Sequence, residues 1–133
     1  MSAPKILAQS VCPHISLGGL WVNPVLCRVK FTSASSGASV SVDAESTPGF
    51  DVDAYSTNHF PVTFPTCRKA EFAYATCEPA TEGTVGNHRD IKGLAVSASG
   101  GTASLFCVEA DGTGFDAPED ASIITAFFWL DLG

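Results

Sequence analysis

The stretch EADGTGFDAPED, Glu109 to Asp120, sets five acids among two glycines and a proline. Carboxylates this dense serve two chemistries, hard-cation binding and paired acid–base catalysis. The calcium template of the EF-hand needs oxygen ligands at loop positions one, three and five, glycine at six and glutamate at twelve. With Gly112 at position six, position one is Cys107 and position twelve is Pro118, so the first and last ligands fail. The run from Gly112 to Asp116 has the form of a single calcium β-roll repeat, and such sites need stacked copies. Asp111, Asp116, Glu119 and Asp120 could hold a cation only by converging in the fold. A glycosidase pair needs one carboxyl with a raised pKa. A solvated loop gives no desolvation to raise it. The loop therefore reads as an acidic turn that limits sideways strand pairing beside an apolar segment.

Other candidates for chemistry are sparse. The serine in VSASGG lacks the leading glycine of a nucleophile elbow. His14, His59 and His88 are far apart in sequence, although His14 lies two residues from Cys12 in CPH, half of a metal motif. The glycines of GTVGNH come without the lysine of a phosphate loop. The five cysteines, Cys12, Cys27, Cys67, Cys77 and Cys107, contain no CxxC pair and sit in or beside apolar runs. They read as small buried hydrophobes of a reducing compartment. Neither a catalytic site, a cofactor nor a metal is expected.

A net charge of −7, with no basic cluster larger than Arg68-Lys69, argues against nucleic acid and anionic membrane partners. No signal peptide is read at the start of the chain, and no apolar run reaches membrane-spanning length. Synthesis and folding in a cytoplasm are expected. With 133 residues the chain suits one domain with a true hydrophobic core.

The elements that must position these residues are short. Apolar β-branched and aromatic runs alternate with Gly, Pro, Ser and Asp clusters about every 10 to 13 residues, the rhythm of a β-sandwich or barrel. CRVKFT turns Cys27, Val29 and Phe31 to one face, and VSV turns Val40 and Val42 inward. FDVDA buries Phe50, Val52 and Ala54, and FPVTF buries Phe60, Val62 and Phe64. Pro61 and Pro65 predict an edge or a bulge for that last strand. CRKAEFAYATC fits a helical stripe of Ala70, Ala73, Tyr74 and Cys77 capped by Thr66, or a strand with Phe72, Tyr74 and Thr76 on one face. The strand is favoured because its neighbours are strands. IKGLAVSA and TASLFCVEA form a hairpin about Ser99-Gly100-Gly101. SIITAFFWLDL is apolar on both faces, with Ile123, Phe127 and Trp129 on one and Ile124, Ala126, Phe128 and Leu130 on the other. Such a strand is central, or is covered by another subunit. Trp21, Tyr55 and Tyr74 are the aromatics outside it that could stack on sugar.

The order CRVKFTSASSGASVS, STPGFDV, HFPVTFPTCRKAEFAYAT and GTASLFCVEADGTGFDAPEDASIITAFFWLDL resembles small structural proteins of tailed bacteriophages. The likeness runs from Cys27 to the C-terminus and lies in strands and turns, not in a catalytic motif. It departs at His59-Phe60, where tyrosine is common, and at Ala117, inserted before Pro118. It implies an all-β, antiparallel, jelly-roll-like β-sandwich of about eight strands, spanning residues 27–133 behind an N-terminal arm, 1–26. It further implies a non-enzymatic capsid decoration (cement) protein in the virion, assembled in the host cytoplasm. Such a protein is a homotrimer that binds the major capsid protein or another virion protein. The expected contact residues are Ile6, Leu7, Leu20 and Trp21 of the arm, with Ile123, Ile124, Phe127, Phe128, Trp129 and Leu130 of the last strand. The alternative is a carbohydrate-binding β-sandwich module of a phage fibre or bacterial surface protein.

Overall fold

The computed structural model describes residues 20–133. Seven strands form two antiparallel sheets. They are β1 (Pro24–Thr32), β2 (Asp51–Val52), β3 (His59–Thr63), β4 (Lys69–Glu78), β5 (Arg89–Ser97), β6 (Thr102–Glu109) and β7 (Ile123–Asp131). Sheet A has the order β1-β7-β4 and sheet B the order β2-β3-β6-β5. This is the expected two-sheet sandwich, and the chain passes between its layers four times.

Strict alternation builds the core. Cys27, Val29 and Phe31 of β1 share one buried cluster with Phe60 of β3 and Leu105 and Cys107 of β6, and Ile124, Ala126, Phe128 and Leu130 of β7 belong to it too. Aromatic rings lock it, with Phe31 edge-on to Phe60 at 4.9 Å and Phe50 stacked on Phe64 at 5.5 Å. Such pairs add about 0.5–1.5 kcal/mol each beyond their buried area.

Two strand expectations change. The VSV segment forms only a bridge between Val42 and Phe31, so it is not an eighth strand. Residues 43–47 seal the free edge of β1 instead. Asp43 and Thr47 donate their N–H groups to the carbonyls of Lys30 and Arg28, both at 2.7 Å. The Thr47 and Ser46 hydroxyls accept from Arg28 and Lys30 N–H, both at 2.9 Å. Hydroxyl side chains close to the backbone offer this alternative to a ladder. The proline strand β3 is not the edge either, because two-residue β2 lies outside it. Pro61 keeps its carbonyl in use, accepting from Asp53 N–H at 2.9 Å.

The ambiguous segment 67–77 enters strand β4 at Lys69, and the strand carries a bulge between Phe72 and Tyr74. The extra residue, Ala73, reverses the alternation. Phe72 pairs with Phe128 on the core side, while Tyr74 and Thr76 pair with Phe127 and Thr125 on the outer side. Phe72 lies against Gly93 of β5, where a Cβ atom would collide with its ring. That glycine lets the open side of the sandwich close between β4 and β5. At the β5–β6 hairpin Gly101 adopts φ +65°, and a side chain there would strike the Phe64 carbonyl oxygen.

Candidate functional site

The acidic loop is committed to local hydrogen bonds. Asp111 accepts from the Thr113 N–H at 3.0 Å and its hydroxyl at 2.7 Å. These bonds hold its carboxyl below the usual range, the opposite of a general acid. Asp116 pairs with Arg89 at 2.8 Å. The same guanidinium donates to the Ala117, Gly86 and His88 carbonyls, stitching the loop to the start of β5. Glu119 turns the other way and accepts from the Thr81 N–H and hydroxyl at 2.8 and 2.9 Å. Among the described residues, no three His, Cys, Asp or Glu side chains gather as a metal group.

The other polar candidates are also dispersed. His59 stacks on Phe106 at 4.9 Å, and His88 bonds to the Glu82 carbonyl. Cys12 and His14 lie outside the described residues. The thiols of Cys27, Cys67, Cys77 and Cys107 are free. Burial raises the pKa of each, that of Cys107 to about 12, helped by its neighbour Cys77 against the pull of Arg89. Protonated thiols are poor nucleophiles and poor metal ligands. Tyr55 belongs to the core, edge-on to Phe60 at 5.0 Å, and is no sugar platform. The polar recess lined by Ser39, Asp51 and Asp53 has a volume of about 140 Å³.

The outward face of sheet A is more organised. Its central column is Ile123, Thr125, Phe127 and Trp129, each half-buried. On the β1 side stand Leu26, Arg28, Lys30 and Thr32, register partners of that column. On the β4 side stand Glu71, Tyr74, Thr76 and Glu78. Tyr74 stacks on Phe127 at 4.7 Å yet remains 53% exposed. Glu45 reaches Arg28 and Lys30 at 3.1 and 3.6 Å.

At one end of this face lies Asp131, an outward residue with no exposure at all. Residues 20–23 seal it as they cross the sheet from the β4 side to β1. The carboxylate accepts from Val22 N–H at 2.9 Å, Asn23 N–H at 2.8 Å, Gly133 N–H at 3.1 Å and Arg68 Nη1 at 2.6 Å. Arg68 also donates to the Leu20 carbonyl, and Lys69 lies 5.8 Å from the Trp21 ring centre. Desolvation would raise the Asp131 pKa, but the backbone N–H groups and Arg68 outweigh it and hold the carboxyl well below the usual range.

The expected contact residues therefore separate. Ile124, Phe128 and Leu130 fill the core and are withdrawn from any contact surface. Ile123, Phe127 and Trp129 lie on the outward face. Leu20 is exposed and Trp21 half-buried at its Asp131 end, and Ile6 and Leu7 lie outside the described residues. Of the eight exposed large apolar residues described, Leu20, Val22, Leu26, Tyr74 and Leu132 lie on this face or at that end. Sequence reasoning missed Leu26 and the Arg68–Asp131 pair, and offered Tyr74 only as an aromatic that could stack on sugar. The signal for Asp131 was a lone acid in an otherwise apolar strand. No family model matches the chain, and neither a curated protein nor a solved structure matches it.

Proposed function

We propose that the chain is a structural subunit of a phage virion, a homo-oligomeric decoration protein that binds the assembled head through protein–protein contacts. The observation that carries the contact reading is the gathering of exposed apolar side chains on the outward face of sheet A and at its Asp131 end. A gathering of exposed apolar side chains at one side of a small domain supports an interaction site there. The phage context rests on the strand-and-turn resemblance from Cys27 onward. The test is co-sedimentation of the purified chain with phage heads lacking their decoration. Saturable binding supports the proposal, and failure to bind heads from any phage that encodes a near-identical chain removes it.

The sugar-binding alternative loses Tyr55 to the core and retains Tyr74, the exposed member of the Tyr74–Phe127 stack. A glycan array with a Tyr74→Ala control separates the two readings. Glycan binding that vanishes in the control would favour the lectin.

A further inference from the structure

We propose that the open edge of β4 is a strand-pairing site for the N-terminal segment of the same chain, residues 1–19, which lie outside the described residues. This contact is separate from head binding and does not rest on it.

Sheet A has two edges, and only one is closed. Residues 43–47 seal the edge at β1. At the other edge stands β4, and among the described residues no ladder or bridge joins it to any strand but β7. The phase of the ladder identifies the groups left over. Leu132 N–H donates to the Asn23 carbonyl at 3.2 Å, and Ser33 N–H to the Ser122 carbonyl at 2.8 Å, so the even-numbered residues of β7 bond to β1. In an antiparallel sheet successive residues turn their peptide groups to opposite sides. The odd-numbered residues of β7 therefore bond to β4, where their register partners are Lys69, Glu71, Tyr74, Thr76 and Glu78. Ala70, Phe72, Ala75 and Cys77 are partners of the even-numbered residues, so their N–H and C=O groups point to the open edge. A long edge with such a row is a template for another strand.

The occupant follows from where the chain reaches the sheet. Arg68 Nη1 donates to the Leu20 carbonyl at 3.1 Å, and Lys69 Nζ lies 5.8 Å from the Trp21 ring centre. Leu20 is thus beside the first residue of β4, and a segment that ends there after running along β4 is antiparallel to it. The 10 residues of β4 span about 33 Å. Residues 1–19 reach about 60 Å when extended, enough to cover that length. Their composition suits an added strand. Val11, Pro13, Ile15 and Leu17 alternate with Cys12, His14 and Ser16, the period of a half-buried strand. Pro13 removes one donor, which an outermost strand tolerates. The segment carries Lys5 and no acid, whereas β4 presents Glu71 and Glu78, which hold no ion pair among the described residues. The covalent tether also gives the segment a high effective concentration at this edge.

Amide hydrogen exchange followed by NMR on the full chain provides the test. The N–H groups of Tyr74 and Thr76 bond to β7, so they should be protected in every variant and report an intact sheet. Those of Ala75 and Cys77 should be protected in the wild type as well. Of two adjacent residues in a strand, one turns its N–H toward β4 whatever the register. At least one of Ile15→Pro and Ser16→Pro should therefore speed exchange at Ala75 and Cys77 by about tenfold or more, leaving Tyr74 and Thr76 unchanged. Free exchange of Ala75 and Cys77 in the wild type would overturn the proposal. So would protection indifferent to both substitutions. Protection that grows with protein concentration would assign the added strand to another molecule and would overturn it too. A variant that unfolds betrays itself by losing protection at Tyr74 and Thr76, and the wild-type result still decides.

Discussion

Asp131 offers the sharpest test of how the chain is tied together. It accepts four hydrogen bonds at 2.6 to 3.1 Å, one of them from Arg68. A hydrogen bond to a charged acceptor contributes about 1.5–3 kcal/mol. The carboxylate is hidden by the thin cover of residues 20–23, not by depth, so its donors can regain water when it is removed. We therefore take only part of the sum and expect Asp131→Ala to cost about 3 kcal/mol. Asp131→Asn should cost about 2 kcal/mol, because its amide turns a donor toward donors. For a chain of this size, about 3 kcal/mol lowers Tm by roughly 10 °C.

The pH dependence carries the sign. The folded Asp131 pKa is depressed below its unfolded value of about 3.9. Between the two values the unfolded chain binds more protons, so stability rises with pH there. The contribution is full above about pH 4 and is lost as pH falls through the folded pKa. The stability gap between wild type and Asp131→Asn should be constant from pH 7 to 5 and shrink below pH 4. Urea denaturation followed by tryptophan fluorescence measures it at each pH, with the gap cancelling the titration of the other acids. A gap under about 0.5 kcal/mol at pH 7, the scale of an ordinary surface change, would refute the clamp. So would a gap that persists undiminished at pH 2.

Gly93→Ala should destabilise by about 1–3 kcal/mol, since the new Cβ displaces the Phe72 ring. Phe72→Leu in the same chain should recover part of that in a thermal double-mutant cycle. Calcium at millimolar concentration should leave Tm unchanged, because Asp111, Asp116 and Glu119 are bonded to different partners. A rise of several degrees would revive the loop as a cation site. Cys107 should resist a thiol-specific disulfide reagent at pH 8 in the native chain and react at once in denaturant. Rapid native labelling at that position, read by peptide mass, would contradict its burial.

The parts of the fold legible in the sequence are those governed by a strict period of two. Cys27, Val29 and Phe31, then Phe60, Val62 and Phe64, then Ile124 to Leu130 all alternate without a fault, and all are buried as the alternation requires. The failures occur where that period is interrupted or irrelevant. Ala73 inserts one residue into β4, and nothing local distinguishes it from the alanines on either side. The segment 43–47 bonds to β1 through hydroxyls, so its edge-sealing role leaves no apolar pattern. The Asp131 clamp joins residues 108 and 109 apart in sequence. A lone acid can flag such a site, but its donors are backbone N–H groups that every residue but proline carries.

The bulge at Ala73 connects these failures to the proposed surface. Without it Tyr74 would share a face with Phe72 and point into the core beside Phe128. The outward face would then lose its most exposed aromatic, and Phe127 its stacking partner. One extra residue thus splits β4 in two. Its first half supplies Phe72 to the core against Gly93. Its second half supplies Tyr74 and Glu78 to the outside. The two-faced apolarity of the terminal strand is resolved in the same way. Its even-numbered residues, Ile124 to Leu130, are consumed by the core, while Ile123, Thr125, Phe127 and Trp129 stay half-buried on the outward face. A further layer over that face would complete the burial.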